Sequence, residues 1–275
     1  MALVDALKAL GSQFIVLHHI AFYGPMSDWA HQLMPGLMGW LSQDARMAVQ
    51  VFLVVAGFLA ARSLAPQGVL LTPSPLTLLR KRYLRTVAPY LAALLICMVC
   101  SELARHWMEH DSIPERAEFG QFIAHALLLH GVLGIDSLSA GVWYVAIDFQ
   151  LFALVAAMLW LARALGGRVG LSVTLLLAGV ALSLYHFNLD AEWDSWAVYF
   201  LGAYGLGALT YWASQPRRGL KGLAWLLLFA LLVTGALAIE FRARIALALM
   251  TALLLGVAHS GQWLNSWPRG RVWAY

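Results

Sequence analysis

Charged residues are scarce in this sequence. The 275 residues include 18 Lys and Arg and 14 Asp and Glu, or 12% of the chain, whereas 61% are hydrophobic and the mean hydropathy is +0.74. Soluble globular domains carry about 25% charged residues, so this composition excludes an ordinary soluble fold. Apolar runs of helical length recur instead, and about 20 such residues cross roughly 30 Å of hydrocarbon. The sequence predicts an all-α, polytopic membrane helical bundle.

Metal-binding and redox residues are also few. The two cysteines, Cys97 and Cys100, stand together in the apolar run "LLICMVCSEL", with no second thiol pair or nearby histidine cluster. The segment "HWMEH" at 106–110 matches an inverted zinc-protease pattern, but no third ligand is evident. We therefore predict no metal site and no tightly bound cofactor. The net charge of +4 does not indicate nucleic-acid binding, because the cations fall at the ends of apolar runs.

The apolar runs predict eight membrane spans in a single domain covering residues 1–275. We place them at 8–23, 46–64, 84–104, 143–162, 168–187, 196–212, 222–239 and 244–259. The first run contains polar residues and is followed by no small-residue cleavage site, so it stays as a span rather than a signal peptide. A ninth segment, "FGQFIAHALLLHGVLGI" at 119–135, is short and interrupted by histidines and glycines.

Cationic clusters predict the orientation of the chain. The clusters are "RKRYLR" at 80–85, Arg163 with Arg168, and "RRGLK" at 217–221, and the positive-inside rule assigns them and the N-terminus to the cytoplasm. Arg163 reaches that side only if 119–135 is re-entrant or interfacial, which we favour. The alternative, in which 119–135 crosses, places Arg163 and Arg168 outside and stays open.

Ionisable residues inside the first span are candidates for function, because such groups are costly in a bilayer. Lys8 and His19 are 11 residues apart, close to three helical turns, so they share one helix face. Asp5 precedes Lys8 by three residues and is close enough to pair with it. The alternative is that His19 only hydrogen-bonds a neighbouring helix.

Two later stretches add charged and polar candidates. Arg82 and Arg85, with Lys81, stand at the start of the third span, where guanidinium groups suit phosphate binding. Taken alone, the cluster is better explained as a topology signal. In "WYVAIDFQ", which begins at Trp143, Asp148 and Gln150 lie inside a span. Asp148 can orient a histidine, stabilise its protonated form, or pair with a cation.

These stretches, in this order, resemble the membrane-bound acyltransferase 3 family, which includes bacterial O-acetyltransferases of surface polysaccharides. "DALKALGSQFIVLHH" resembles its first span, with ten residues between Lys8 and His19, and "VFLVVAGFLAARSL" resembles its second, with Ala56 in place of a usual serine. Arg82 and Arg85 match its Arg-x-x-Arg element. "WYVAIDFQLF" resembles its Trp-to-Gln-Phe element, with Asp148 replacing a glutamate.

The resemblance implies transfer of an acyl group, usually acetyl, from cytoplasmic acyl-CoA to a carbohydrate or polysaccharide hydroxyl. His19 and Asp148 would be catalytic. Lys8, Lys81, Arg82, Arg85 and Gln150 would bind substrate, with Asp5 and Trp143 in support. It also implies a bacterial inner-membrane location and about ten spans. The chain stops at "RGRVWAY", where the family's closing helix begins, so that span is expected to be missing.

Two other functions stay open on the sequence. A proton-coupled transporter also uses intramembrane histidine and aspartate, although such folds often show paired repeats, which we do not find. An inactive, truncated family member is the other. The sequence identifies neither the acceptor sugar nor the oligomeric state.

Overall fold

The computed structural model describes residues 1–71 and 74–267, and this part of the chain is helical without strands. The helices, in chain order, are α1 (Ala2–Phe22), α2 (Pro25–Leu33), α3 (Pro35–Gln43), α4 (Val49–Leu64), α5 (Pro75–Trp107), α6 (Phe119–Ala126), α7 (Val142–Ala164), α8 (Val169–Tyr185), α9 (Ala197–Ala213), α10 (Gly219–Ile239) and α11 (Ala243–Ser260).

Eight of these helices cover the eight predicted spans. Six helical segments of the described chain are long and apolar enough to cross a membrane: Pro35–Leu64, Pro75–Trp107, Val142–Ala164, Val169–Leu189, Pro216–Ile239 and Ala243–Ser260. α1, which carries several polar side chains, and α9, with 17 residues, are not among them. The count of eight or nine spans stays a prediction, and the expected loss of a closing span concerns residues outside those described.

The described residues form two compact units. The first draws on Met1–Gln13, Met47–Pro75 and Leu151–Tyr275, and the second on Phe14–Arg46 and Leu76–Gln150. Helix α9 lies at the centre of the first unit, where almost all its residues are buried. A Cβ on Gly57 of α4 would lie 1.8 Å from the Tyr204 carbonyl oxygen, and one on Gly207 of α9 2.0 Å from that of Val54. Glycine thus permits α4 and α9 to meet backbone to backbone.

Three connections meet at one end of the first unit. The loop after α4 accepts hydrogen bonds from Arg163 Nη1 to Leu70 O (2.5 Å), from Trp212 Nε1 to Ala65 O (2.7 Å) and from Gln215 Nε2 to Pro66 O (2.7 Å). Arg62, near the end of α4, also contacts the sulfur of Met1. This side of the first unit therefore contains the C-terminal ends of α4, α7 and α9 and the start of α1. The cations at 163 and 217–218 lie on the same side.

The segment 119–138 of the second unit is a hairpin that turns back on itself. Its helix α6 has eight residues, about 12 Å of rise, which is too short to cross about 30 Å of hydrocarbon. Gln121 Nε2 donates to the Asp136 carbonyl (2.9 Å), and the Leu138 amide donates to His125 Nε2 (3.1 Å), so the outgoing and returning arms are joined. The two ends of the hairpin lie together, as expected if the segment is re-entrant.

The hairpin tip begins with a Schellman turn. The Leu129 amide donates to Ala124 O (3.0 Å) and the Leu128 amide to His125 O (2.9 Å), with Leu128 at φ +59°. Glycine is the usual residue at this position, because a left-handed backbone costs other residues roughly 1–2 kcal/mol. The Leu128 side chain is completely buried, in a core with Tyr90, Leu94 and Leu138. Burial of an apolar side chain offsets a cost of that size.

Candidate functional site

The neighbours His18 and His19 of α1 have different surroundings. His18 is buried, and its Nδ1 lies 3.2 Å from the carbonyl oxygen of Leu41 on α3. His18 therefore makes the helix-to-helix hydrogen bond that the sequence analysis weighed for His19. Within the described residues, neither ring nitrogen of His19 has a hydrogen-bond partner, and its Nδ1 is buried.

The edge of the His19 ring that carries Nε2 faces Gly141, just before α7. A Cβ on Gly141 would lie 3.5 Å from His19 Nε2 and 4.0 Å from Cε1. Apart from the chain neighbours of Gly141, no other atom of the described structure comes within 4 Å of that position. Gly141 has φ +79°, a backbone conformation that glycine adopts without strain. An open space therefore lies beside Nε2.

Arg82 of α5 and Asp148 of α7 form an ion pair inside two candidate spans. Arg82 Nη2 donates to Asp148 Oδ2 at 2.5 Å, and the side chains are 31% and 17% exposed. Of the three roles considered for Asp148, this contact matches pairing with a cation. No hydrogen bond joins Asp148 to His19 in the described part of the chain, so direct orientation of the histidine is not seen. A paired arginine and aspartate at membrane depth is the arrangement expected of a functional element.

Residues next to this ion pair hold the hairpin tip. Gln150 Nε2 donates to the Leu128 carbonyl (2.9 Å), and the Tyr83 hydroxyl donates to the Ala126 carbonyl (2.8 Å). The structure thus gives Gln150, predicted to bind substrate, a contact with the strained residue of the tip. Tyr83, next to Arg82, therefore fixes the hairpin against α5, and Gln150, two residues after Asp148, fixes it against α7.

Two stacked histidines complete the hairpin. The rings of His125 and His130 are parallel with centroids 4.0 Å apart, and both side chains are buried. His125 Nδ1 lies 2.8 Å from Gln121 O and must donate to it, which leaves Nε2 to accept from Leu138. Burial lowers the pKa of His125, and burial together with the adjacent His125 lowers the pKa of His130 to about 4. Both rings are therefore neutral near pH 7.

The other cations at the start of α5 are exposed. Arg80, Lys81 and Arg85 lie at the surface, and no carboxylate of the described residues pairs with them. Three exposed cations within six residues of one helix can offer charge-assisted hydrogen bonds to a phosphate-bearing ligand. Arg82 differs from them because it already binds Asp148.

The chain as a whole matches one family model. The model is described as an acyltransferase domain, and it matches residues 1–273. The chain belongs to the acyltransferase 3 family. Comparisons with curated proteins and with solved structures gave no match. The resemblance noted in the first 152 residues is thus confirmed over nearly the whole sequence, and the protein is a multi-pass membrane acyltransferase.

The remaining predicted site residues of this acyltransferase are placed as follows. Lys8 is exposed on α1, the helix that also contains His19. Asp5 forms an ion pair with the Met1 amino group (3.1 Å), whereas the sequence predicted a pairing with Lys8. Trp143 is 36% exposed in the first turn of α7 and packs edge-on against Tyr144. Their proposed roles in binding and support stay predictions.

The acyltransferase does not arrange "HWMEH" as a zinc motif. Helix α5 ends at Trp107, so His106 and His110 do not share a helix face. His110 instead lies 3.1 Å from Asp28 Oδ2 and 2.6 Å from the Ser112 hydroxyl. Groups of three or more metal-ligand side chains are not found among the described residues.

Sequence reasoning missed three parts of the acyltransferase site. Gly141, the stacked pair His125 and His130, and the tip residue Leu128 were not named as candidates. The histidines were visible as interruptions of an apolar segment, and Gly141 stands in "SAGVW" just before a span. Neither signal identifies which side chain a glycine faces, because that depends on the contact with α1.

Proposed function

We propose that this acyltransferase moves an acyl group, acetyl in the simplest case, from acyl-CoA to a carbohydrate hydroxyl, with His19 as general base. We place it in a bacterial inner membrane with its N-terminus in the cytoplasm. The positive-inside rule supports this orientation, because the start of α1 and the cations at 163 and 217–218 share one end of the first unit.

One observation carries the proposal: His19 forms no hydrogen bond with the described residues, while its Nε2 borders an open space. A general base must meet the proton it removes at roughly 2.6–3.2 Å, so it needs a free lone pair and room for the reacting oxygen. His18, in contrast, commits its Nδ1 to the Leu41 carbonyl of α3.

The reaction follows from these groups. His19 Nε2 takes the hydroxyl proton while the hydroxyl oxygen forms a bond to the thioester carbonyl carbon. Collapse of the tetrahedral intermediate breaks the carbon–sulfur bond, and the coenzyme A thiolate leaves with the electron pair. The imidazolium then returns its proton to the thiolate, so that an ester and free coenzyme A are formed and His19 is neutral again.

Donor binding is the proposed role of the cations at the start of α5. Lys81 and Arg85, with Arg80 beside them, are exposed and carry charge that complements the phosphates of coenzyme A. Arg82 and Asp148 form a neutral pair next to them, which we propose positions α7 relative to α5. Lys8, exposed on α1, stays a separate candidate for substrate binding.

The test compares surface polysaccharides from cells that lack the gene with those from cells that carry it. Ester-linked acyl groups are measured by NMR and mass spectrometry, after complementation with the wild type, His19→Ala or His18→Gln. Wild type and His18→Gln should restore a lost substituent, because glutamine still donates to Leu41. His19→Ala should lower the rate of acyl transfer by at least about 100-fold, because a general base usually contributes that much.

Two results would contradict the proposal. Full restoration by His19→Ala would remove the histidine from the mechanism. An identical acyl content with and without the gene would remove the polysaccharide as the acceptor. Protein levels in the membrane, measured by immunoblot for each variant, separate loss of chemistry from loss of folding.

A further inference from the structure

The open space beside His19 and Gly141 is bordered by a restricted set of atoms. A Cβ on Gly141 would meet two atoms of the His19 ring, Nε2 at 3.5 Å and Cε1 at 4.0 Å. The other ring nitrogen, Nδ1, is buried. Nε2 is therefore the ring nitrogen that borders the open space beside Gly141.

The space beside Nε2 lies where the oxygen of a reacting hydroxyl would have to stand. An oxygen in hydrogen-bond contact with Nε2 sits at roughly 2.6–3.2 Å from the nitrogen, inside the distance at which a methyl group makes ordinary contact. A Cβ on residue 141 would occupy the region next to that oxygen. The missing side chain of Gly141 thus leaves this position open to a hydroxyl group.

We propose that the space between Gly141 and His19 Nε2 is the subsite for the reacting acceptor hydroxyl. This inference rests on the proposed function and adds the position and approach of the hydroxyl. It assigns Nε2 as the nitrogen that takes the proton, and it makes Gly141 a positioning residue whose lack of a side chain admits the acceptor.

The same backbone provides a matched control. Gly134, in the hairpin, also has a left-handed backbone (φ +66°, against +79° for Gly141), but a Cβ there would meet no atom of the described structure within 4 Å. Replacing either glycine with alanine therefore introduces a similar backbone strain. Only the change at 141 also fills the space beside His19.

Two substitutions at 141 separate strain from occupancy. Asparagine tolerates a left-handed backbone better than alanine but has a larger side chain. If the space matters, loss should increase from Gly to Gly141→Ala to Gly141→Asn. If strain matters, Gly141→Asn should be the milder change. The order of the two variants is therefore informative even when both are impaired.

The first readout does not depend on catalysis. Diethyl pyrocarbonate acylates accessible, unprotonated imidazole nitrogens, and peptide fragmentation by mass spectrometry assigns the modified histidine. The rate at His19 is compared with that at His106, which is exposed on the end of α5. We expect Gly141→Ala to slow modification of His19 severalfold and Gly141→Asn to slow it further, with His106 unchanged and Gly134→Ala like wild type.

The second readout is acyl transfer to the polysaccharide in proteoliposomes supplied with acetyl-CoA. Gly141→Ala should lower transfer roughly tenfold or more, since a misplacement of 1 Å near a reacting atom can cost about 100-fold. Unchanged modification of His19 in Gly141→Asn would overturn the subsite, as would equal losses in Gly134→Ala and Gly141→Ala. A wild-type protein that transfers nothing would instead contradict the proposed function, while the modification rates would still test the subsite.

Discussion

At the scale of single residues, two pairs of similar side chains that are close in sequence make different contacts. His18 holds α3 through the Leu41 carbonyl, while His19 leaves both nitrogens without a protein partner in the described chain. Arg82 binds Asp148, while Arg85, one turn later, is exposed. In each pair the sequence offers two similar side chains, and only the contacts show which one is committed to the fold.

The arginines should therefore respond differently to removal. Arg82→Ala leaves the partly buried carboxylate of Asp148 without its cation, and breaking a buried pair costs about 3–5 kcal/mol, less here because Arg82 is 31% exposed. Arg85→Ala removes an exposed charge, so stability should change by under about 0.5 kcal/mol while the KM for acyl-CoA rises. Detergent-solubilised thermal melting and donor titrations measure the two effects.

The double variant Arg82→Ala/Asp148→Ala supplies the control for that prediction. Because it removes both charges, it should recover part of the stability lost in Arg82→Ala. Equal melting temperatures for Arg82→Ala and Arg85→Ala would show that the ion pair does not stabilise the fold.

At the scale of elements, the contact between α4 and α9 depends on glycine. A Cβ on Gly207 would overlap the Val54 carbonyl oxygen at 2.0 Å, so Gly207→Ala must push the two helices apart. Overpacking of this kind costs typically about 1–3 kcal/mol, or more where backbone is involved. We expect a lower melting temperature and less folded protein in the membrane.

Gly170→Ala is the matched change for this element. Gly170 lies in the first turn of α8, and a Cβ there would meet no atom of the described structure within 4 Å. Its melting temperature should equal or exceed that of wild type, because alanine favours a helix over glycine by roughly 0.5–1 kcal/mol. Similar behaviour of the two alanine variants would contradict a backbone contact between α4 and α9.

Helix positions and a non-crossing segment at 119–135 were predictable from hydropathy and charge, but the turn at the tip of the hairpin was not. A run of about 20 apolar residues is the same signal wherever it occurs, so the limits of α7, α8 and α11 follow from the sequence within a few residues. The turn at Leu128 carries no such signal, because leucine occupies a position where glycine is usual. Its stability comes from burial and from Gln150, which are properties of the folded unit.

The candidate site was predictable to a similar extent. His19, Arg82 and Asp148 could be named because ionisable residues stand out in apolar helices. The pairing of Arg82 with Asp148, and the position of Gly141 beside His19, depend on which helices touch. Helical period alone does not contain that information.

At the scale of the whole molecule, the hairpin decides the topology. If 119–138 returns to the side of the membrane it came from, as its joined arms favour, we expect the ends of α5 and α7 that flank it on one face. The loop after α7 is then on the same side as the loop after α4, as the contact between Arg163 and Leu70 requires. The orientation with Arg163 and Arg168 outside instead requires that 119–135 crosses the membrane, and it stays an open alternative.

Single cysteines test this topology in a background with Cys97→Ser and Cys100→Ser. Ser112→Cys lies before the hairpin, Ser137→Cys lies at the end of its returning arm, and Leu76→Cys marks the opposite end of α5. A membrane-impermeant maleimide added to intact cells should label the first two variants and not the third. Labelling of only one of Ser112→Cys and Ser137→Cys from outside would show that the segment crosses.

The hydrogen bond between Gln150 and Leu128 also has a consequence for the order of assembly. The amide that secures the hairpin tip is made 22 residues after the carbonyl it binds, inside the next long helix. During synthesis the tip therefore has no native partner on α7 until the first two turns of that helix have left the ribosome. The hairpin is therefore expected to be among the last parts of its unit to fold.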